Sequence, residues 1–401
     1  MFRRALATVT IPLLLGLFSC ADTEDTSVAR EAVSPSHLLL EAGEFELKVT
    51  ASPFELRLER NGTALLRFNS EALQIGEVAV QDPKFNYDPY GLYEKIGLYR
   101  EPEGFAWRSV VRAEVQEATN KQAQLALLFE GEHRAMLRLQ VRGSGSVEAF
   151  WKPEDGSRIG YMRVRPRVDG SEGFYGLGEY FDDVNHRGKL RAMQIEIDAG
   201  IDSGYNEVHV PIPFVIGSRG WGLFVDSRRP AVFDVARQDG EIVEATFGTG
   251  LGSGEGLRFH LFGAARPLDV TKLYYDVTGY PKLPARWALG PWIWRDENKD
   301  QAEVEADIDK LRDLDLATTG LWIDRPYATG VNTFDFKKEQ FPNPAAMIAK
   351  LHANGLRIAL WHTPYLDEKD PATQADLTEA QSQGYFPPQI GPRLNKWGDL
   401  L

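Results

Sequence analysis

Three apolar strands separated by two amphipathic helices are predicted between residues 288 and 363, and this alternation constrains the fold more than any other feature of the chain. The strands run into WIWRD at Asp296, LWID at Asp324 and LWHT at Thr363. Strands that alternate with helices at this spacing indicate βαβ units and a parallel sheet. We therefore expect about three of the eight units of a (β/α)8 barrel, since a complete barrel takes roughly 250 residues.

The two intervening helices are predicted from their periodicity and caps. Val304, Ile308 and Leu311 recur at helical spacing among charged residues. The second helix is expected to follow Asn343, a favoured N-cap, with Pro344 at its first position. A third helix is predicted beyond the last strand, within DPATQADLTEAQSQG.

Aromatic and acidic side chains gather at the ends of these strands. The carboxyl ends of barrel strands are where such folds place their chemistry. Trp294, Asp296, Asp324, Trp361 and Thr363 are the candidate binding residues. Indole faces beside carboxylates suit a ligand with an apolar ring face and a rim of hydroxyls, which describes a sugar. Trp322 is expected to pack in the core instead. His362 is expected to have a packed or hydrogen-bonded role rather than a catalytic one.

An antiparallel β-sandwich is predicted from residue 36 to residue 281. Short segments such as EFELKVT, AQLALLFEG and AMLRLQV alternate apolar and polar residues, and turn signals separate them. No long helical period is found in this region. The run from Gly176 to Glu179 is expected to be a structural turn in which two backbone segments approach closely.

Charge and composition exclude several classes of partner. The net charge of −13 argues against nucleic acid and against an acidic membrane surface as binding partners. The seven histidines show no metal-ligand spacing, so no metal is expected. No nucleotide-binding glycine pattern occurs in a strand–helix context, and no cofactor is expected.

The N-terminus has the form of a secretion signal. A short basic region at Arg3 and Arg4 precedes an apolar run to Phe18, which is too short for a comfortable membrane span. The residues before Cys20, the single cysteine, resemble the lipobox of bacterial lipoproteins. We expect residues 1–20 to be a lipoprotein signal peptide, 21–35 a flexible tether, and the mature protein to be lipid-anchored and extracytoplasmic. An ordinary signal peptide is the alternative.

From residue 174 onward the chain resembles glycoside hydrolase family 31, the α-glucosidase and α-xylosidase family. The matching stretches are FYGLGEYFDD (174–183), PFVIGSRGWGLFVDS (213–227), YYDVTGYPKLPARWALGPW (274–292), LWIDRPY (321–327) and FPNPAAMIAKLHANGLRIALWHTPYL (341–366). The resemblance implies a galactose-mutarotase-like sandwich over residues 36–281 and a partial (β/α)8 barrel over 282–401.

The resemblance also implies roles for single residues. The family aspartate that binds sugar hydroxyls at the end of barrel strand 2 matches Asp324. A family aspartate from a sandwich loop matches Asp198, with Asp202 as the competing candidate. Asp296 and Trp294 fall at a pocket-lining position at the end of strand 1.

The end of strand 3 departs from the glucosidase pattern. Trp361-His362-Thr363 stands where family glucosidases often have Ile-x-Asp, and it looks nearer the Trp-x-Asn of the α-xylosidase branch. A carboxylate that would hold one substrate hydroxyl is therefore missing, so the α-xylosidase branch is the expected one.

The resemblance implies a retaining α-glycosidase that hydrolyses α-linked oligosaccharides. Its nucleophile and its acid/base are expected beyond Leu401, so this chain alone is expected to be inactive. The alternative, from a different functional class, is a lipid-anchored carbohydrate-binding protein without hydrolase activity. A third hypothesis keeps the hydrolase and changes the sugar to galactose or another α-linked residue.

Overall fold

The computed structural model describes residues 36–78, 105–193, 210–229, 231–248, 255–324, 327–330, 332–362, 366–367 and 369–385. Among the helices in these ranges, none is long and apolar enough to span a bilayer. The predicted signal peptide and tether lie outside the described residues, as do Cys20, Asp198, Asp202 and Thr363.

The N-terminal part of the described chain consists of antiparallel strands. They are β1 His37–Ala42, β2 Phe45–Thr50, β3 Glu55–Arg60, β4 Thr63–Phe68, β5 Leu73–Glu77, β6 Ala106–Ala118, β7 Gln122–Phe129, β8 Arg134–Gly143, β9 Ser146–Pro153, β10 Ile159–Val164, β11 Phe174–Gly178, β12 Lys189–Ala192, β13 Pro211–Gly217, β14 Trp221–Val225, β15 Ala231–Val235, β16 Val243–Gly248 and β17 Leu257–Gly263.

These strands form two sheets. Strands β1 to β4 pair in chain order as a four-stranded meander, and the others form one long sheet in the order β11-β13-β14-β17-β9-β8-β7-β6-β5-β10-β16-β15-β12. The register shifts twice between β6 and β7, and such bulges bend a sheet. The predicted antiparallel, strand-rich architecture is confirmed.

A single hydrophobic core joins the two sheets. Alternation places Phe45, Leu47 and Val49 of β2 inside, whereas the residues between them stay partly exposed. Phe68 of β4 stacks on Phe259 of β17 with ring centroids 6.3 Å apart, so the meander packs directly on the long sheet. Both rings are fully buried.

One helix interrupts the region in which only strands were predicted. Helix α1, Val270–Thr278, packs its apolar side against the outer face of the sandwich, where Tyr274 stacks on Phe214 at 4.4 Å. Nine residues give too few turns for a clear helical period, which explains why the sequence pattern did not indicate it.

The turn at the end of β11 brings two backbone segments together. Gly178 has φ +107°, and an added Cβ would collide with the carbonyl oxygen of Val210. Only glycine tolerates both conditions, so the predicted close approach is confirmed.

The C-terminal part of the described chain is a parallel strand–helix–strand array. Its elements are β18 Trp292–Arg295, α2 Gln301–Asp313, β19 Gly320–Ile323, α3 Pro344–Ala353, β20 Arg357–Leu360 and α4 Gln374–Gln383. The three strands are parallel in the order β18-β19-β20. The predicted strands and helices of this region are confirmed.

The helix signals in the sequence act as predicted. Asn343 accepts a hydrogen bond from the Ala346 amide at 3.1 Å, and Pro344 is the first residue of α3. Asp300 caps α2 in the same way through the Glu303 amide. Val304, Ile308 and Leu311 are all buried. Val304 and Ile308 pack with Leu321 and Ile323 of β19 and with Met347 and Leu351 of α3. Together these residues form a separate core on the helix side of the sheet.

Candidate active site

The face of the parallel sheet opposite the helices carries large aromatic side chains. Trp294 pairs in register with Trp322, and Trp322 pairs with Ala359, so the three side chains share one face. Trp294 is 53% exposed and Trp322 is 40% exposed. The prediction that Trp322 packs in the core is wrong, because its position in the alternation places it on the open face with Trp294.

Lower on the same face, Trp292 covers the backbone of β19. Its ring lies so close to Gly320 that a Cβ there would collide with it. Trp287 continues this aromatic surface, with its ring centroid 6.0 Å from that of Trp292, and the guanidinium of Arg357 lies 5.7 Å from the Trp287 ring centre. The open face is therefore largely aromatic below the strand ends.

Asp324 and Trp294 meet at the carboxyl ends of their strands. The indole Nε1 of Trp294 donates a hydrogen bond to Oδ2 of Asp324 at 2.9 Å. The bond orients a carboxylate beside an exposed aromatic face, which is the combination predicted for sugar binding. Carboxylate oxygens accept hydrogen bonds from hydroxyls, and indole faces cover apolar ring surfaces.

Trp361 lies at the same edge of the sheet. Its backbone amide donates to the carbonyl of Ile323 at 2.9 Å, so the β20 end is fixed beside the residue that precedes Asp324. The structure thus brings three of the predicted residues, Trp294, Asp324 and Trp361, to neighbouring strand ends. Their role in binding sugar stays a prediction.

Asp296 follows β18 and is exposed. In the part of the chain that the structure describes, no hydrogen bond or ion pair engages its side chain. The preceding Arg295, the last residue of β18, forms a bidentate pair with Asp307 of α2 at 2.7 and 2.8 Å, so its side chain lies on the helix side of the sheet. A pocket-lining role for Asp296 stays a prediction.

A buried arginine organises the sandwich segment that precedes Asp198. Arg191 is 1% exposed and donates to Nδ1 of His186 at 3.1 Å and to Oδ1 of Asp182 at 2.7 Å. Its guanidinium also lies 4.2 Å from the ring centre of Tyr180. The Tyr180 hydroxyl in turn donates to the Ala192 carbonyl at 2.8 Å. Residues 180–192 are therefore held as one unit.

The charges of this unit fix its protonation states. Burial by itself raises the pKa of Asp182, but hydrogen bonds from Lys189 and Arg191 outweigh it, so the pKa lies below its usual range. Burial, together with the Arg191 charge, lowers the pKa of His186. A neutral imidazole with an unprotonated Nδ1 is the form that can accept the Arg191 hydrogen bond.

One further contact was not predicted from the sequence. Phe334, in the loop between β19 and α3, makes an edge contact with His362 at 5.7 Å between ring centroids. The His362 side chain is exposed, and its ring packs against Phe334. No local sequence pattern indicates this pair, because it depends on the path of an irregular loop.

In the described ranges, no group of three or more His, Cys, Asp or Glu side chains is arranged to hold a metal ion. At the strand ends, the Asp324 carboxylate accepts a hydrogen bond from Trp294, and the Trp294 side chain is 53% exposed.

Two family models match the sequence. The N-terminal galactose mutarotase-like domain of glycosyl hydrolase family 31 matches residues 21–234, which is more than half of the chain. The TIM-barrel domain of the same family matches residues 281–398.

Relatives and solved structures agree with these matches. An alpha-xylosidase of Lactiplantibacillus pentosus is 29% identical over 263 residues, which cover 64% of this chain and 33% of that protein. Alpha-glucosidase 2 of Bacillus thermoamyloliquefaciens is 26% identical, over 68% of this chain and 34% of that protein. The chain thus spans about a third of the length of these relatives.

Among solved structures, a family 31 sulfoquinovosidase from E. rectale superposes with a TM-score of 0.59 at 18% identity, over 84% of this chain and 50% of that one. At that identity the likeness concerns the fold. The relatives described here carry enzyme names, which gives no support to the alternative of a binding protein without activity.

Proposed function

The chain belongs to glycoside hydrolase family 31, and from this premise we propose that it forms part of an enzyme that hydrolyses α-linked oligosaccharides. The observation that carries the proposal is the Trp294–Asp324 pair on the open face of the parallel sheet. It combines a sugar-binding carboxylate with an aromatic face at the strand ends, in the domain that matches the family barrel.

Asp324 would hold the sugar whose bond is cleaved. Its carboxylate accepts hydrogen bonds from ring hydroxyls, while the Trp294 and Trp361 side chains cover the apolar face of the ring. Hydrogen bonds to a charged group contribute about 1.5–3 kcal/mol each. Binding energy of this kind positions the anomeric carbon for attack and so lowers the barrier.

The chemical step needs two carboxyl groups. In a retaining glycosidase they lie about 5 Å apart, one as nucleophile and one as acid/base, and water completes the hydrolysis. We propose that both come from residues outside this chain, since it spans about a third of the length of its relatives. Asp324 acts by binding and orientation.

The α-xylosidase branch is the preferred assignment within this class. Two observations support it: an alpha-xylosidase is among the most similar relatives, and Thr363 stands where a glucosidase carboxylate is expected. A xylose residue lacks the hydroxymethyl group of glucose, so fewer polar partners are needed in the pocket.

The test is hydrolysis of nitrophenyl α-xyloside and nitrophenyl α-glucoside by the protein expressed from its complete gene. We expect turnover of at least one substrate, and faster turnover of the xyloside. Asp324→Ala should reduce kcat/KM at least tenfold, because a charged hydrogen-bond acceptor for the sugar is lost.

Asp313→Ala provides the matched control, since Asp313 is an exposed carboxylate at the end of α2, on the helix side. It should leave turnover unchanged. Absence of turnover on both substrates and on other α-glycosides would contradict the proposal.

We also propose that the protein is attached to the cell envelope by a lipid on Cys20 and faces an extracytoplasmic compartment. The support is the basic, apolar and Ser19-Cys20 pattern of the N-terminus. Cys20→Ser should move the protein from the membrane fraction to the soluble fraction. A membrane-bound Cys20→Ser variant would contradict lipid attachment.

A further inference from the structure

Helix α1 packs on an aromatic surface of the sandwich that contains a histidine. Tyr274 of α1 meets Phe224 of β14 edge-on, with ring centroids 5.1 Å apart. Val270, the first residue of α1, packs in the same cluster as Phe262 of β17. His260 of β17 is in register with Phe224 and lies two residues before Phe262. The two rings against which α1 packs are therefore the neighbours of this imidazole.

The imidazole of His260 is stacked and almost fully buried. Its ring centroid lies 5.7 Å from that of Phe224 and 6.0 Å from that of Phe262, with interplanar angles of 19° and 12°. The residue is 3% exposed. Both ring nitrogens are buried, and among the described residues neither has a hydrogen-bond partner. The ring is thus packed like a third phenylalanine, without an acceptor in place for its N–H groups.

The charged groups near His260 lie on the neighbouring strands. Its register partner on β9 is Glu148, which accepts hydrogen bonds from Arg142 of β8 at 2.9 Å and pairs with Arg258 of β17 at 3.5 Å. Asp226 directly follows β14. The two carboxylates favour a protonated imidazole, whereas the two arginines disfavour it. The strand charges around His260 therefore oppose one another.

Helix α1 adds no charged side chain to the packed surface. Lys272 and Asp276 are exposed on the other side of the helix, and Tyr274 is the titratable residue that contacts the aromatic rings. A protonated His260 would therefore find only apolar and aromatic groups on the side that faces α1.

The neutral imidazole is the form that fits between the two phenylalanines. Burial lowers the pKa of His260, because the charged ring loses its water. Aromatic faces attract a cation, but this attraction is smaller than the cost of an interior charge without water or a partner. Protonation therefore favours a state in which the ring reaches water.

We propose that His260 makes the docking of helix α1 sensitive to acid: when the imidazole takes up a proton, α1 separates from the Phe224–Phe262 surface. The helix ends at Thr278, and residues 279–291 lead from it to β18, which contains Trp294. Protonation thus loosens the segment that joins the sandwich to the parallel sheet. This switch is independent of sugar binding.

The docked helix should lose stability in one direction of pH. Its stability is fully present above the pKa of a solvated histidine, near 6.5, and is lost as pH falls towards the lower pKa of the docked state. At pH 5.5, one unit below 6.5, the equilibrium constant for docking should be up to about tenfold smaller than at pH 7.5.

Hydrogen exchange measured by mass spectrometry tests the switch, with the protein expressed from its complete gene. Exchange is recorded at pH 7.5 and at pH 5.5, and each rate is divided by the intrinsic rate at that pH. The protection factor of residues 270–278 should fall about three- to tenfold at pH 5.5. It should be lower at both pH values than that of β7, Gln122–Phe129, because α1 separates without unfolding of the sandwich.

Two variants remove the titration of His260. His260→Phe keeps an aromatic ring between Phe224 and Phe262, and His260→Gln supplies an amide that does not titrate. In both, the protection factor of residues 270–278 should be the same at the two pH values. His352→Gln is the matched control, because His352 is an exposed histidine of α3, and it should retain the wild-type fall.

Three results would overturn the switch. The first is equal protection of residues 270–278 at pH 5.5 and pH 7.5 in the wild type. The second is a fall of wild-type size in His260→Phe or His260→Gln, since another group would then be responsible. The third is protection of residues 270–278 as strong as that of β7, because α1 would then separate only when the whole sandwich unfolds.

Discussion

The described residues include an indole–carboxylate hydrogen bond of 2.9 Å in each half of the chain, and the surroundings of these two bonds are opposite. In the sandwich, Trp221 is fully buried and donates to Glu172, which is 2% exposed. In the parallel sheet, Trp294 is more than half exposed and donates to Asp324. Bond length alone therefore does not distinguish a buried pair from an exposed pair.

The two carboxylates differ in their surroundings. Glu172 also accepts the backbone amides of Arg219 and Asp169, each at 3.1 Å, so the protein itself uses its oxygens. Burial raises the pKa of Glu172. Asp324 lies at the edge of an open aromatic face, where a ligand can reach it. The first pair holds two loops together. Sugar binding by the second pair stays a prediction.

The largest expected effect contrasts the aromatic side chains of the two regions. Phe259→Ala removes a fully buried ring that contacts Phe68 and should lower the free energy of unfolding by about 3–5 kcal/mol. Trp322→Ala, on the open face, should cost less than about 1 kcal/mol. Denaturant unfolding of both variants measures this, and similar losses would contradict the description of the open face.

The next effect contrasts the two carboxylates. Glu172→Ala leaves a buried indole and two amides without their acceptor and should cost about 2–3 kcal/mol of unfolding free energy. Asp324→Ala should cost less than about 1 kcal/mol, since water replaces the exposed bond. If Asp324→Ala destabilises the protein as much as Glu172→Ala, the Trp294 pair is structural.

A pH series sharpens the same contrast. The pKa of Glu172 is raised in the folded state, so protonated Glu172 stabilises the fold. This contribution to stability is fully present below the pKa of Glu172 in the unfolded chain, near 4.5. It is lost as pH rises through the pKa of Glu172 in the folded protein. The stability of wild type relative to Glu172→Gln should therefore decline as pH rises above about 4.5. A constant difference in unfolding free energy between pH 4 and 8 would argue against a raised pKa.

The smallest effect concerns the ion pair behind the open face. Arg295 and Asp307 form a bidentate pair, but Arg295 is 47% exposed at its side chain. Arg295→Ala should cost about 0.2–1 kcal/mol of unfolding free energy, and the cost should shrink in high salt. A salt-independent loss would indicate that packing of the arginine side chain matters more than its charge.

The sequence predicted the local features of both regions and missed the distant contacts. The periods of α2 and α3, the Asn343 cap and the strand ends at Asp296 and Asp324 depend on residues close in sequence, and they were predicted from pattern alone. The Glu172–Trp221 pair joins residues 49 apart, and only the pairing of the sandwich strands brings them together.

The open face shows a second limit. The strand period places Trp322 on the same face as Trp294, but it does not say whether that face is covered. The Phe334–His362 contact depends on a left-handed backbone position at a bulky residue, which no propensity favours. Loop conformation of this kind is set by contacts along the whole loop.

The central claim is that the Trp294–Asp324 pair binds sugar. The NMR signals of the indole N–H groups of Trp294 and Trp221, each of which is hydrogen-bonded to a carboxylate, test this claim directly. Methyl α-xyloside or methyl α-glucoside should shift the Trp294 signal, assigned with Trp294→Phe, and leave the Trp221 signal in place. In Asp324→Ala the shift should disappear. A Trp294 signal that does not move at saturating sugar, or that still moves without the Asp324 carboxylate, would contradict the claim.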